Sequence, residues 1–375
     1  MKNPFIVGRP ITDPKDFFDR EKELGGIFRG IENQYNISLM GERKIGKTSL
    51  LNMICHPDKM REFRIDAEKT LILSIDSGEV DKGSPASVWK SLLSSLIKEI
   101  ENRDVKKNLN KKIRSNEVGL YEFFEAVSHT EKNIVIIFDE FEAICEDMDI
   151  NFFQDLRHIG QVSKLTYIVS TCRDLFTLTT KSKKIKSSPF FNIFVPYYLG
   201  LFQKDQSEKF IEAKFKDMNI QKEHVISILR ICGPHPFFLQ LFCSHLFELL
   251  TDEELDLSFE EGIKQARMKF TESSDTHFEY FWERFNSKEE RILLDIALKG
   301  RKGLSFKKIF GDMVRRGFLV EDKGEYELFS EAFREWILEN IERPQKFSFL
   351  KMIAFAALLA VVIFFFWMVL DLICS

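Results

Sequence analysis

Gly41-Glu42-Arg43-Lys44-Ile45-Gly46-Lys47-Thr48 has the spacing G-x-x-x-x-G-K-[ST], and its flanks give that spacing a meaning. Asn36-Ile37-Ser38-Leu39-Met40 before it reads as a strand, and Ser49-Leu50-Leu51-Asn52-Met53-Ile54 after it begins a helix. Glycines let the backbone curl closely around oxygen atoms without a Cβ clash. The amides and dipole at the start of the helix favour an anion there. In such a loop Lys47 reaches the β- and γ-phosphates of a nucleotide, and the Thr48 hydroxyl completes the coordination of Mg²⁺. Gly41, Glu42, Arg43, Lys44, Ile45, Gly46, Lys47, Thr48 and Ser49 are therefore the expected contacts of a nucleoside triphosphate.

A second stretch supplies what the loop lacks. Asn133-Ile134-Val135-Ile136-Ile137-Phe138 is almost continuously apolar, the pattern of a strand buried on both faces of a parallel sheet, and it ends in Asp139-Glu140. Acids at the carboxyl end of such a strand lie beside the phosphate loop. The pair is a Walker B site: Asp139 is expected to hold Mg²⁺ with Thr48, and Glu140 to orient and deprotonate the attacking water. Lys47, Glu140 and Arg173 are the expected catalytic residues.

Further strands fall at Thr70–Asp76 and Leu165–Thr171, and helices at about Ser87–Glu101 and Asn151–Ile159. Alternation of this kind implies parallel crossovers, hence an α/β P-loop NTPase sheet of the ASCE type flanked by helices. Ser170, Thr171 and Arg173 come at the end of a strand, where they are placed to sense a γ-phosphate.

From about residue 201 the pattern turns helical, with amphipathic segments at Lys204–Met218, Glu223–Ile231 and Phe237–Leu250. Gly233-Pro234-His235-Pro236 between the last two predicts a rigid turn. From about Asn286 the order is helix at Lys288–Ala297, helix at Ser305–Phe310, helix at Gly311–Gly317, then a hairpin over Leu319–Leu328 turning at Asp322-Lys323-Gly324. Three helices and a β-wing predict a winged helix, closed by a helix carrying Phe333, Trp336 and Ile337.

Residues 352–370 are apolar throughout. At about 1.5 Å per residue such a helix matches the roughly 30 Å hydrocarbon layer of a bilayer. Arg343, Lys346 and Lys351 precede it and Asp371 comes after it, a charge bias that keeps the N-terminal part cytoplasmic and leaves a short outer tail. The expected organisation is thus a lead-in at 1–30, the P-loop ATPase domain at 31–200, a helical subdomain at 201–285, a winged helix at 286–342, a juxtamembrane linker at 343–351 and one transmembrane helix at 352–370.

Composition excludes several alternatives. The chain has 375 residues, a formal net charge of −4 and six cysteines without a C-x-x-C pair. That charge leaves no global footprint for nucleic acid, and the cysteines read as reduced residues of a cytosolic domain. The N-terminus lacks the apolar core of a signal peptide. Lys307, Lys308, Arg315 and Arg316 invite a DNA-binding reading of the winged helix, but Glu321, Asp322, Glu325 and Glu327 on the wing would meet phosphate with like charge.

A family resemblance covers almost the whole of the chain before the apolar run. Asn3-Pro4-Phe5 and Phe17-Phe18-Asp19-Arg20-Glu21-Lys22-Glu23-Leu24 resemble the N-P-F and F-x-G-R-E-x-E-L stretches of AAA-like ATPases of the STAND class, signal-transducing P-loop switches. The loop at 41–48, Asp139-Glu140, the polar strand end with Arg173, Ser188-Pro189-Phe190-Phe191-Asn192, a G-x-P-like turn and the winged helix come in the order of that class. The resemblance implies Pro236 against an adenine, Arg20 near the base or phosphates, and the winged helix as a lid. Asp19 stands where the family has glycine, and Pro234 where the turn has its second glycine. With the apolar run added, the expected protein is a membrane-anchored, ATP- and Mg²⁺-dependent switch that hydrolyses ATP slowly and is read by a protein partner or by self-association. The alternatives are an oligomeric AAA-type remodelling ATPase, for which Arg157 or Arg173 would be the trans-acting finger, and a winged-helix DNA-binding ATPase.

Overall fold

The computed structural model describes residues 1–341 except 77, 79, 82, 163, 177, 179–188 and 300–306. Five strands form one sheet: β1 (Asn36–Met40), β2 (Thr70–Asp76), β3 (Asn133–Asp139), β4 (Leu165–Thr171) and β5 (Phe194–Tyr198). Their spatial order is β2-β3-β4-β1-β5, and every pairing is parallel. β4 therefore lies between the phosphate-loop strand and the strand that ends in Asp139. The carboxyl ends of all three meet at one edge of the sheet.

Alternation along β3 explains why its sequence is apolar at nearly every position. Ile134, Ile136 and Phe138 enter a core with Trp89, Phe123, Phe152 and Tyr167, whereas Val135 and Ile137 enter a second core with Leu24, Ile37, Leu50 and Ile54. Helices cover both faces, so no side of the strand meets water. β5 differs: its side chains are mostly exposed or half-buried and it contains Pro196, which a strand at the sheet's edge tolerates.

A third core belongs to the C-terminal half. It runs from Phe210 and Phe215 through Phe238, Phe242, Phe270 and Phe278 to Phe318, Phe333 and Trp336. Phe238 is fully buried among the Phe278, Phe281 and Phe329 rings, and truncating such a side chain to alanine costs about 3–5 kcal/mol. The helices Lys204–Lys214, Lys222–Cys232, Pro236–Leu250 and Phe259–Trp282 thus share one interior with the elements after residue 286. Phe5 joins the same interior and packs on Phe210, Phe215 and Phe247. Asn3 donates to Ser244 Oγ at 2.9 Å, and Ile6 N to Gln240 Oε1 at 2.8 Å.

The C-terminal elements depart from the sequence expectation in one respect. A single helix, Lys307–Arg315, replaces the two expected at Ser305–Phe310 and Gly311–Gly317, because Gly311 continues the helix with open space beside it. With the helix Ser287–Lys299 before it, the hairpin β6 (Leu319–Asp322) and β7 (Glu325–Leu328) after it, and the closing helix Glu331–Asn340, it makes a helix–helix–hairpin–helix unit. Phe333, Trp336 and Ile337 are buried as the pattern requires. Among the described residues no helix is long and apolar enough to cross a membrane. The run expected to do so, 352–370, lies outside the described residues, as does Ser188.

Candidate functional site

The phosphate loop leaves β1 at Gly41, whose amide donates to Thr171 O on β4 at 3.1 Å. It closes at Gly46, which caps the helix Lys47–Cys55 in a left-handed conformation, φ 101°, that glycine adopts at no steric cost. Lys47 is 8 % exposed, and its ammonium donates to the carbonyls of Gly41 at 2.8 Å and Glu42 at 3.1 Å. The lysine thus spans its own loop, with its charge held over the cradle. Burial pushes the nearby Cys172 thiol up to about 11, opposed by Lys47, so at neutral pH it is no anion competing for that ammonium.

Thr48 Oγ1 donates to Asp139 Oδ2 at 2.7 Å. Asp139 Oδ1 accepts from the Ser170 hydroxyl and, at 3.0 Å, from Glu140 N. A carboxylate and a hydroxyl in contact at the foot of a phosphate cradle are the sparse protein donor set that Mg²⁺ takes when phosphate and water supply the rest. The residues fit that ion. Glu140 is exposed in the cleft with φ 50°, a left-handed conformation uncommon for a side-chain-bearing residue and typical of functional positions.

A cleft of about 340 Å³ opens above these groups. Arg43, Lys44, Ile45, Gly46, Lys47, Thr48 and Ser49 line it with Asp139 and Glu140. Ile6, Ile11, Phe17, Phe18, Phe202, Pro236 and Phe237 add apolar and aromatic walls. The loop suits phosphates and such walls suit a base, since planar rings are taken up by apolar and aromatic surfaces. The N-terminal segment is fastened in place: Ile11 N donates to Ser49 Oγ at 3.0 Å, and Ile11 O accepts from Asn52 at 3.0 Å.

Of the residues expected at the site, Pro236 begins the helix Pro236–Leu250 and lines the cleft. Arg20 also lines it, but its guanidinium is spent on protein: 2.6 Å to Gly200 O, 3.2 Å to Glu23 Oε1, and 4.8 Å above the Phe202 ring. Burial pulls its pKa below the ordinary value, against Glu23 and Asp19. Asp19 has φ 56°, which accounts for glycine in the related motif, and Asp19 Oδ1 accepts from Arg20 N at 2.8 Å.

Gly41, Glu42 and Arg173 do not line the cleft. The Glu42 carboxylate pairs instead with Arg316. Arg173 donates to Arg284 O at 3.2 Å, binding the end of β4 to the helical half, and Thr171 Oγ1 donates to Arg173 O at 2.6 Å. Ser170, by contrast, is tied to Asp139. Sequence reasoning missed Phe202, Phe237, Gln240 and the stretch at 8–11, which no phosphate motif marks; the N-P-F that leads into that stretch was the available signal.

A parallel five-stranded sheet, a phosphate loop closed by Lys47, and an acid pair at the end of a neighbouring strand define a P-loop NTPase. The family model described as Novel STAND NTPase 2 matches residues 32–299, most of the chain. The chain belongs to that family: it is a nucleotide-binding enzyme of the ATPase type. Among solved structures it is similar to the Walker-type ATPase PABY2304 of Pyrococcus abyssi, with 18 % identity and a TM-score of 0.57 over 88 % of this chain and 98 % of that one. It is also similar to the ORC2 protein of Aeropyrum pernix in its ADPNP–ADP complexes, with 10 % identity and a TM-score of 0.51 over 88 % and 94 %. At such identities the likeness is one of fold. No curated protein matches the chain.

Proposed function

We propose that this chain is a membrane-anchored, ATP- and Mg²⁺-dependent conformational switch. The observation that carries the reading is that the nucleotide cleft has walls from both halves of one chain. Phosphate-loop residues face Pro236, Phe237 and Gln240 of the helical half. Lys44 lies 5.4 Å from the Phe237 ring centre, and Arg43 lies 5.3 Å from that of Tyr280. A ligand filling such a cleft has different contacts when the halves are together and when they are apart, and that difference shifts the equilibrium between them. Lys47 and the loop amides hold the phosphates, Thr48 and Asp139 hold Mg²⁺ as the Lewis acid that neutralises charge, and Glu140 orients the attacking water and takes its proton. Slow hydrolysis then resets the switch.

In this reading the helix–helix–hairpin–helix unit is a winged helix acting as lid, adenine sits against Pro236, and residues 352–370 anchor the chain with the ATPase on the cytoplasmic face. A protein partner or a second copy reads the state. Two basic side chains of the winged unit are engaged within the chain: Arg315 pairs with Asp312 at 3.1 Å and stacks on Tyr198, and Arg316 pairs with Glu42 and Glu289. That favours a lid over a nucleic-acid reader.

The test is turnover of the full chain in detergent micelles. A switch gives tight nucleotide retention and slow hydrolysis independent of protein concentration. Fast hydrolysis rising with concentration would replace it with the oligomeric remodelling ATPase. Removing the residues from Lys346 onward releases the protein from membranes, and continued pelleting with them would refute the anchor.

A further inference from the structure

Arg316 comes just after the helix Lys307–Arg315, far from the phosphate loop in sequence, yet it grips the loop. Its Nε donates to Glu42 Oε1 at 2.7 Å and its Nη1 to Glu289 Oε1 at 2.6 Å. Glu42 is 5 % exposed and Glu289 8 %. The guanidinium also lies 5.0 Å from the Phe318 ring centre and 5.6 Å from that of Phe285, so the pair is screened from water. Glu42 is the second residue of the loop, and its carbonyl is the one Lys47 holds at 3.1 Å. One residue thus carries the lysine on its backbone and a C-terminal arginine on its side chain.

A carboxylate in a phosphate loop opposes an incoming triphosphate by like charge unless a cation neutralises it. Here that cation comes from the C-terminal unit, so the loop is electrostatically ready for nucleotide only while the unit is docked. We infer that Arg316 is a positioning residue for the phosphate loop, coupling nucleotide affinity to docking of the C-terminal unit through Glu42. The inference rests on the nucleotide-site reading and adds the route by which the lid senses that site. Linkage makes the coupling reciprocal: whatever docking adds to nucleotide affinity, nucleotide adds to docking.

The experiment is a double-mutant cycle on the full chain in detergent, read by equilibrium binding and dissociation of N-methylanthraniloyl-ATP with Mg²⁺. Arg316→Ala leaves Glu42 buried and unpaired, and weakens affinity by about 10- to 100-fold, the usual size of such couplings, with faster dissociation. Glu42→Gln alone, with Arg316 still on Glu289, changes affinity less. The double variant Glu42→Gln with Arg316→Ala recovers much of the loss, because the opposing charge is gone; a packing defect alone would not be rescued in this way. Arg316→Lys keeps the charge but not both contacts, and falls between wild type and Arg316→Ala, which guards against a misfolded alanine variant. Unchanged affinity in Arg316→Ala, or a double variant as weak as that single one, overturns the inference while leaving the ATPase intact. Failure of the wild-type chain to bind the probe overturns the nucleotide-site reading and the inference with it.

Discussion

Thr48 Oγ1 and Asp139 Oδ2 lie 2.7 Å apart, which joins the first turn of the phosphate-loop helix to the end of β3. The two residues are brought together because β4 separates β1 from β3 and its Ser170 hydroxyl holds the other Asp139 oxygen. The hydroxyl and carboxylate are thereby set facing the same cleft before any metal or phosphate arrives. Preorganisation of that kind places the ordering cost in folding rather than in binding.

The first prediction concerns Lys47. Hydrogen bonds to charged groups contribute about 1.5–3 kcal/mol each, so Lys47→Ala weakens ATP binding by about 100-fold or more. The same substitution frees the Gly41 and Glu42 carbonyls that the ammonium now holds. Calorimetric titration decides the matter, and near-normal affinity would show that the phosphates lie elsewhere.

Glu140 offers a prediction in which activity and stability part company. Glu140→Gln keeps binding and slows turnover at least about tenfold, within the usual reach of general-base catalysis. Glu140→Gly also removes the base, but it relieves the φ of 50° and is expected to raise stability by about 1 kcal/mol. An inactive protein with a higher unfolding midpoint is the expected result; a lower midpoint would mean that the glutamate side chain supports the fold.

Gly233 sits where three segments converge. Its φ is 70°, and a Cβ there would lie 2.2 Å from Phe329 O, between the Gly233–Pro236 turn and the C-terminal unit. Pro234 O accepts from Phe202 N at 3.0 Å, so a shift of the turn carries into the cleft wall. Gly233→Ala is expected to cost about 3 kcal/mol, the sum of backbone strain and overpacking. Urea unfolding measures it, and a loss below about 1 kcal/mol would mean that the turn yields.

β1 and β4, buried at every position, could be read to their ends in the sequence, and so could the edge strand β2, whose buried Leu73 and Ile75 alternate with exposed Ser74 and Asp76. β5 could not: Pro196 and its exposed positions look like a loop. The long helix Phe259–Trp282 was illegible for another reason. Its buried stripe includes Gly262, Ala266 and Ser274, small residues that give little amphipathic signal, and Gly262 lets the helix sit close to Leu246 and Leu250. At the site, spacing alone singled out Lys47, Thr48, Asp139 and Glu140, and the fold brings all four to one cleft. Glu42 was assigned to nucleotide because a motif's variable positions say nothing of their partners, and its partner Arg316 is 274 residues away. Arg173 was assigned to the phosphates from its place after β4, whereas its direction depends on the Arg284 carbonyl, which only the packed structure supplies.

His235, between the two prolines of the turn, is fully buried, and neither ring nitrogen has a hydrogen-bond partner among the described residues. It is surrounded by the Phe238, Phe281 and Phe329 rings. Burial, aided by the charge of Arg20 and by His277, pushes its pKa from 6.5 down to about 3. The unfolded chain therefore binds a proton between those values that the folded chain refuses. The resulting stability is complete above pH 6.5 and falls as the pH drops toward 3. At about 1.4 kcal/mol per unit of pKa difference, the histidine alone removes about 3 kcal/mol by pH 4. His235→Leu abolishes that titration and leaves no unpaired nitrogen in the apolar site. Urea unfolding at pH 7 and pH 4 tests the argument: the wild type should lose about 3 kcal/mol more than the leucine variant across that interval. Equal losses would show that the imidazole is not held neutral, and that the acid sensitivity of the fold arises from other groups.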